Sequence, residues 1–261
     1  MDFNERIAKL NKMIADARKI VFFTGAGIST GSGIPDFRSA DGLYSTAYGI
    51  KNKSPEYMLS NTCLEQHPQA FFKYLRDYMD YRDAEPNIAH QRISELQLTR
   101  NVSVITQNID GLHERAGSEK VYAVHGTMER YVCTDCQHDL FVPEDVMDGN
   151  YDNLYEIPKC PLCGEGIIRP DIVLYGEGLA YPAWSNATLA AAQADLMIVV
   201  GSSLTVQPAA SLPFYCDDSH LVVINRDPTV ADFRAELVFH EDIQDVFNLI
   251  EIPEGENNES D

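Results

Sequence analysis

The sequence predicts an α/β fold, a doubly wound, Rossmann-like parallel sheet carrying a small cysteine-bearing module and a helical insertion. Three observations predict it. Short, β-rich apolar runs recur along the chain, and segments of helical composition lie between several of them. Four of the six cysteines fall in two Cys-x-x-Cys pairs, inside a stretch with few long apolar runs. Continuous apolar strands alternating with helices are what a parallel sheet covered on both faces requires.

The first element is a helix. In "MDFNERIAKLNKMIADARK", Phe3, Ile7, Leu10, Met13, Ile14 and Ala17 share one face. The strands follow as "IVFF" (20–23), "VSVIT" (102–106), "VYAV" (121–124), "IVLY" (172–175), "LMIVV" (196–200), "LVVI" (221–224) and "LVF" (237–239). Helices are expected over "AHQRISELQL" (89–98) and "PAWSNATLAAAQAD" (182–195). Two stretches break this rhythm. Residues 39–86, rich in Tyr and polar residues, are expected to form a helical insertion with a mobile loop, and 127–170 a module folded around an ion. The sheet domain is then assembled from 1–38, 87–126 and 171–250. The tail "EIPEGENNESD" (251–261), with five acids and no base, is expected to be disordered.

A chain of 261 residues, 44% hydrophobic, can bury a sizeable core. Its formal net charge of −20 repels nucleic acid and anionic membranes, so neither is an expected partner. Acidity can serve solubility alone, or attract basic protein segments. The N-terminus has no uninterrupted apolar stretch suited to a signal peptide. No run approaches the ~18 residues of a membrane span, so a cytoplasmic protein is expected. The oligomeric state is not legible.

Chemistry concentrates at strand ends. After "IVFF", Gly25, Gly27 and Gly31 lie in "GAGISTGSGIPDFR" (25–38). Gly25-Ala26-Gly27 lets backbone N–H groups approach a pyrophosphate with no Cβ in the way. The third glycine falls one position late for a full GxGxxG, so a tight turn with no ligand stays open. After "VSVI", "TQNIDGLHERAGS" (106–118) brings Gln107, Asn108 and Asp110 within four residues. In open α/β sheets ligands sit at the carboxyl ends of strands, although a capped loop would use the same residues. His125 ends "VYAVHG". A lone histidine is more often structural than catalytic, but an imidazole near ~6.5 can accept a proton at neutral pH.

Cys133-x-x-Cys136 and Cys160-x-x-Cys163 are separated by 23 residues. Two such knuckles supply four thiolates to one tetrahedral Zn²⁺ and leave no open position for water, so the zinc would be structural. A redox-active dithiol is the rival. Cys63 and Cys216 have no partner in this pattern and read as buried thiols.

Together these elements resemble the sirtuins, NAD-dependent protein-lysine deacylases. The resemblance rests on "GAGISTGSGIPDFR", "TQNID", the His-Gly at 125–126, the paired cysteines, "IVVGSSLTVQPAA" (198–210) and "VVINRD" (222–227), in family order. It implies that Ala26 and Thr30 contact NAD, and that Phe37 and Arg38 shield the reacting ribose and hold phosphate. It places Asp110 and the Ile109 backbone on the nicotinamide carboxamide, and Gln107 and Asn108 on the ribose and its water. Gly201, Ser202, Ser203 and Asn225 would bind the remaining NAD, with Asp242 and Ile243 at the adenine. "RPDIVLYGEG" (169–178) is similar to the strand on which sirtuins lay an acyl-lysine peptide, implicating Val173, Gly176 and Glu177. Leu174 and Tyr175 stand where the family usually has Trp and Phe.

The implied reaction consumes NAD. The acyl-lysine oxygen attacks the ribose carbon as nicotinamide leaves, and His125 deprotonates a ribose hydroxyl. Acetyl-lysine peptides would yield free lysine, nicotinamide and O-acetyl-ADP-ribose. His90 and His113 read as packing or hydrogen-bonding residues. Family members that prefer succinyl groups carry Tyr-x-x-Arg in the insertion, and "FFKYLRDYMDYRDAEPN" (71–87) has none at that spacing. The alternatives are mono-ADP-ribosyl transfer, deacylation of longer chains, and an NAD-sensing module without turnover. A hydride-transferring oxidoreductase is disfavoured by the Pro-Asp-Phe-Arg segment.

Overall fold

The computed structural model describes residues 1–36, 53–138, 157–215 and 220–254. Helix α1 (Phe3–Asp16) starts with a reciprocal cap, in which Asp2 accepts from the Glu5 amide and Glu5 accepts from the Asp2 amide. That box satisfies two donors the first turn would otherwise orphan. Ile7, Leu10 and Ile14 are buried, while Phe3, Met13 and Ala17 pack at the margin of the same core.

Strand β1 (Ile20–Thr24) runs into a 3₁₀ turn, Ala26–Ser32. The insertion holds α2 (Pro55–Met58), α3 (Asn61–Gln66) and α4 (Pro68–Tyr78); the expected mobile loop lies outside the described residues. Next come α5 (Ile88–Thr99), β2 (Val102–Thr106), α6 (Leu112–Arg115), β3 (Val121–Ala123) and β4 (Gly126–Cys133). The chain continues through β5 (Ile168–Ile172), α7 (Ala183–Gln193), β6 (Leu196–Val200), a 3₁₀ turn at Ala209–Phe214, β7 (His220–Ile224), β8 (Leu237–Phe239) and α8 (Ile243–Asn248).

Six strands form one parallel sheet in the spatial order β3-β2-β1-β6-β7-β8. Numbered within the sheet this is 3-2-1-4-5-6, the order of doubly wound dinucleotide-binding folds. The apolar runs are continuous because both faces are covered. Ile20 and Phe22 pack with Leu10 of α1, Ile93 of α5 and Phe247 of α8, while Val21 and Phe23 pack with Ala187 and Ala191 of α7.

One expected strand is reassigned. "IVLY" (172–175) does not enter the parallel sheet: Ile172 ends β5, which pairs antiparallel with β4. The run is apolar because Ile172 and Leu174 pack under the insertion, with Phe71, Phe72 and Leu75. Val173 and Tyr175 are tied by their amides to the carbonyls of His125 and Leu59, at 2.9 and 3.0 Å. The β4–β5 ribbon has no continuous apolar run to announce it. Burial alternates along β5, Pro170 interrupts it, and Glu129 and Arg130 of β4 are exposed.

Candidate functional site

The direction of strand succession reverses between β1 and β6, so their carboxyl ends open a crevice. Gly25 follows β1 and Gly201 follows β6, and the two loops touch backbone to backbone. Gly27 N donates to Gly201 O at 2.8 Å, and Gly201 sits at φ +60°. A Cβ on Gly27 would fall 2.8 Å from the Gly201 Cα, and one on Gly25 would fall 2.8 Å from the Gly201 oxygen. Glycine is therefore required here by loop-on-loop packing as well as by any ligand.

This crevice is part of a cleft of about 920 Å³. Lining it are Gly25, Ala26 and Thr30; Gln107, Asn108, Ile109 and Asp110; His125; Val173, Gly176 and Glu177; Gly201, Ser202 and Ser203; and Asn225, Asp242 and Ile243. Residues expected from segments more than 200 positions apart thus converge on one cavity. Phe37 and Arg38 lie outside the described residues.

At its floor is a hydrogen-bonded cluster. Ser29 Oγ donates to Asp110 Oδ2 at 2.6 Å, and Asn108 Nδ2 donates to Ser29 Oγ and to Gly25 O, each at 3.1 Å. Asp110 Oδ1 accepts from the Leu112 amide at 3.0 Å, fixing the carboxylate at the start of α6. Ser29 lies inside the glycine motif but is absent from the expected site. A hydroxyl beside the turn was the available signal. Ser202 Oγ donates to Gln107 Oε1 at 2.8 Å, while Gln107 Nε2 is buried with no partner among the described residues. An orphaned donor on a cleft wall fits a ligand acceptor.

His125 follows β3. Its Nδ1 lies 3.0 Å from the Gln107 carbonyl oxygen. A carbonyl only accepts, so Nδ1 carries the proton and Nε2 keeps its lone pair. Burial lowers the imidazole pKa, partly offset by the bond to Gln107. The ring is neutral at pH 7. Gly126, at φ +80°, turns the chain immediately after it, where a Cβ would collide with the Asp171 carbonyl.

Three expected site residues are also committed elsewhere. The Glu177 carboxylate is gripped by Arg169, at 2.7 and 3.0 Å, and accepts from the Leu174 amide at 2.9 Å. It braces the loop it belongs to. Asp242 caps α8 by accepting from the Gln244 amide at 2.8 Å, and Ile243 packs at the edge of the sheet core.

His90 and His113 are buried with their ring centres 4.9 Å apart. His113 Nε2 lies 3.0 Å from Thr24 Oγ1, and His90 Nδ1 accepts from the Asn87 amide at 3.3 Å. Burial drives the His90 pKa down to about 4, against a smaller upward pull from Asp110; burial and then His90 lower that of His113. An unfolded histidine takes its proton near ~6.5, so between there and about 4 the unfolded chain binds more protons than the folded one. Stability therefore falls as pH drops through this window. Thermal melts should show Tm decreasing from pH 6.5 to 4.5, and His90→Gln should flatten that slope. An unchanged slope in the variant would refute the assignment.

The four paired cysteines converge as well. All four sulfurs lie within 4.8 Å of one another, with Cys133–Cys163 at 3.7 Å and Cys136–Cys160 at 3.8 Å. A tetrahedral zinc with Zn–S bonds of ~2.3 Å puts its sulfurs about 3.8 Å apart. The four sulfurs form one mutual cluster drawn from both knuckles rather than two separate Cys-x-x-Cys pairs, which disfavours the dithiol reading. Cys63 is buried, as expected, and Cys216 lies outside the described residues.

Strand order, switch-point glycines and a four-thiolate module define a dinucleotide-binding α/β protein with a metal-held satellite. The chain belongs to the Sir2 family, which it matches over residues 25–208. It is 42% identical over 247 residues to an NAD-dependent protein deacetylase of Clostridium acetobutylicum, covering 94% of this chain and 98% of that protein. A Cutibacterium acnes protein of the same name is 44% identical, covering 93% and 96%. Among solved structures, a Sir2 variant with a deacetylated p53 peptide and 3′-O-acetyl ADP ribose superposes with a TM-score of 0.85 at 35% identity, covering 94% and 96%. A Sir2 complex with a p53 peptide and NAD⁺ gives 0.82 at 35% identity, covering 93% and 95%.

Proposed function

We propose that the chain is an NAD-dependent protein-lysine deacetylase. The observation that carries the reading is His125, neutral and held in one tautomer, in the same cleft as the Ser29–Asn108–Asp110 cluster. Ala26, Thr30, Gly201, Ser202, Ser203 and Asn225 hold the dinucleotide, and Gln107 Nε2 supplies an otherwise unmatched donor. NAD provides the electrophilic ribose carbon and accepts the acetyl group, with nicotinamide as the leaving group. Asp110 and the Ile109 backbone hold the carboxamide. His125 Nε2 takes the proton of a ribose hydroxyl, and the Gln107 carbonyl steadies the charged ring.

The acetyl-lysine peptide lies along Val173–Gly178. The amides of Val173, Leu174, Tyr175 and Glu177 are bonded within the protein, so the peptide pairs with the Val173 carbonyl and the Gly176 and Gly178 backbone. Acetyl is preferred over succinyl. Arg82 lines the cleft, but its guanidinium already makes two bonds to the Asp80 carboxylate, at 2.7 and 2.8 Å. Its charge is compensated before any acidic acyl group arrives. A cytoplasmic location accompanies this reading. It is supported by the thiol-rich metal site.

Mass spectrometry of an acetyl-lysine peptide with and without NAD tests the reading. Deacetylation is expected only with NAD, with O-acetyl-ADP-ribose in equal amount, and at a rate well above that of the succinyl peptide. An unchanged peptide with NAD consumed would overturn deacetylation in favour of ADP-ribosyl transfer. Faster loss of succinyl would overturn the acyl preference.

A further inference from the structure

Asn87 has no role in the chemistry above, yet it joins the cofactor turn to the sheet domain. It is 9% exposed and caps α5, with Oδ1 accepting from the Ala89 amide at 2.9 Å. The other end of the same amide faces a segment more than fifty residues earlier. Nδ2 donates to Ile28 O at 2.8 Å and to Ser32 Oγ at 3.0 Å. Asn87 thus donates to the turn with one end while it accepts from the helix with the other. A flipped amide would set its oxygen against the Ile28 carbonyl, so the orientation is forced. Its backbone is held too, because its own amide donates to His90 Nδ1.

Resting on the reading that this cleft takes NAD, we propose that Asn87 is a positioning residue for the dinucleotide. It pins the Ala26–Ser32 turn, at Ile28 and Ser32, to helix α5. That helix is anchored by Ala89, Ile93 and Leu96 in the sheet core. The amino-terminal half of the turn is held separately, through Gly27 N to Gly201 O and Asn108 Nδ2 to Gly25 O. Between Ile28 and Ser32, the two points Asn87 holds, lie Ser29, whose hydroxyl donates to Asp110, and Thr30. Releasing the Asn87 end lets the turn move, and the dinucleotide must then pay to order it on binding.

A plain helix cap is the competing explanation, and serine separates the two. Serine caps a helix about as well as asparagine, but its one hydroxyl cannot serve α5 and also reach both partners in the turn. Asn87→Ser keeps the cap and should lower the ligand-free Tm by no more than about 5 °C, the worth of the two bonds lost to the turn. Its Kd for NAD by calorimetry, without peptide, should rise about tenfold, the effect of losing ~1.4 kcal/mol. KM for NAD should rise in parallel, with KM for the peptide changed less than twofold. Ser32→Ala removes one of the two contacts and should give a smaller rise in the same direction, which keeps the inference testable should Asn87→Ser fold poorly. Wild-type affinity for NAD in either variant overturns the proposal, as does an equal rise in both KM values. A wild-type protein that binds no NAD removes the functional reading itself, and the role of Asn87 with it.

Discussion

His125→Ala is expected to lower deacetylation by about 10²–10⁴-fold, the usual contribution of a positioned general base. The Kd for NAD should stay near the wild-type value and zinc should remain at one per chain. The selectivity follows from what the side chain touches. Its one side-chain hydrogen bond given by the structure goes to the Gln107 carbonyl, while the turn, the Asp110 cluster and the four sulfurs are held without the imidazole. The pH profile gives a second readout. Burial lowers the pKa of the ring, so the base stays unprotonated from alkaline pH down to below histidine's usual ~6.5. The acid limb of kcat/KM should therefore lie below ~6.5 in the wild type and vanish from the residual activity of the variant. A variant that unfolds, or that loses NAD binding as steeply as turnover, would make His125 a structural residue and reopen the case for the cluster around Asp110.

The sheet was legible because its chemistry is local. "IVFF", "VSVIT", "LMIVV" and "LVF" are unbroken apolar runs, and they form strands because both faces of a central parallel sheet are covered. The same rule misread "IVLY". Its apolar residues serve a second core beneath α2–α4, and no one-dimensional pattern says which core a residue joins. The β4–β5 ribbon was hidden for the opposite reason. Its outer face is wet, a proline interrupts it, and its stability is borrowed from cysteine ligation that composition reveals only as spacing. At the site, side chains that follow a strand end directly were readable, as with Gln107, Asn108, Asp110 and His125. Ser29 and Asn87 were not. Each acts through a partner far along the chain, Ser29 on Asp110 and Asn87 on Ile28. Glu177 and Asp242 show the converse: a motif can place a carboxylate beside a cleft while the fold uses its charge on Arg169 or on a helix amide.

Removing the metal should have the largest structural effect, although no sulfur belongs to the cleft. Among the described residues, the buried cluster beneath the four cysteines is Tyr131, Cys133, Cys160 and Ile168. So small a core cannot offset the entropy of ordering two knuckles. Structural zinc binding in small modules is worth on the order of 10–16 kcal/mol at neutral pH, and here most of that is folding energy for the module. Cys160→Ala should therefore abolish zinc binding and disorder the β4–β5 ribbon and its two knuckles. The damage should then pass to the cleft along two hydrogen bonds donated by backbone amides. Val173 N holds the His125 carbonyl and Met128 N holds the Ile109 carbonyl, both at 2.9 Å, so a melted β4–β5 ribbon releases the peptide strand and the base together. The parallel sheet shares no strand with that ribbon and should keep its own thermal transition. Deacetylation should be lost while far-UV dichroism keeps most of its amplitude, and chelation of the wild-type protein should reproduce both changes. Full turnover with no bound metal would refute this account. Collapse of the sheet along with the module would instead mean that the two parts fold as one cooperative unit.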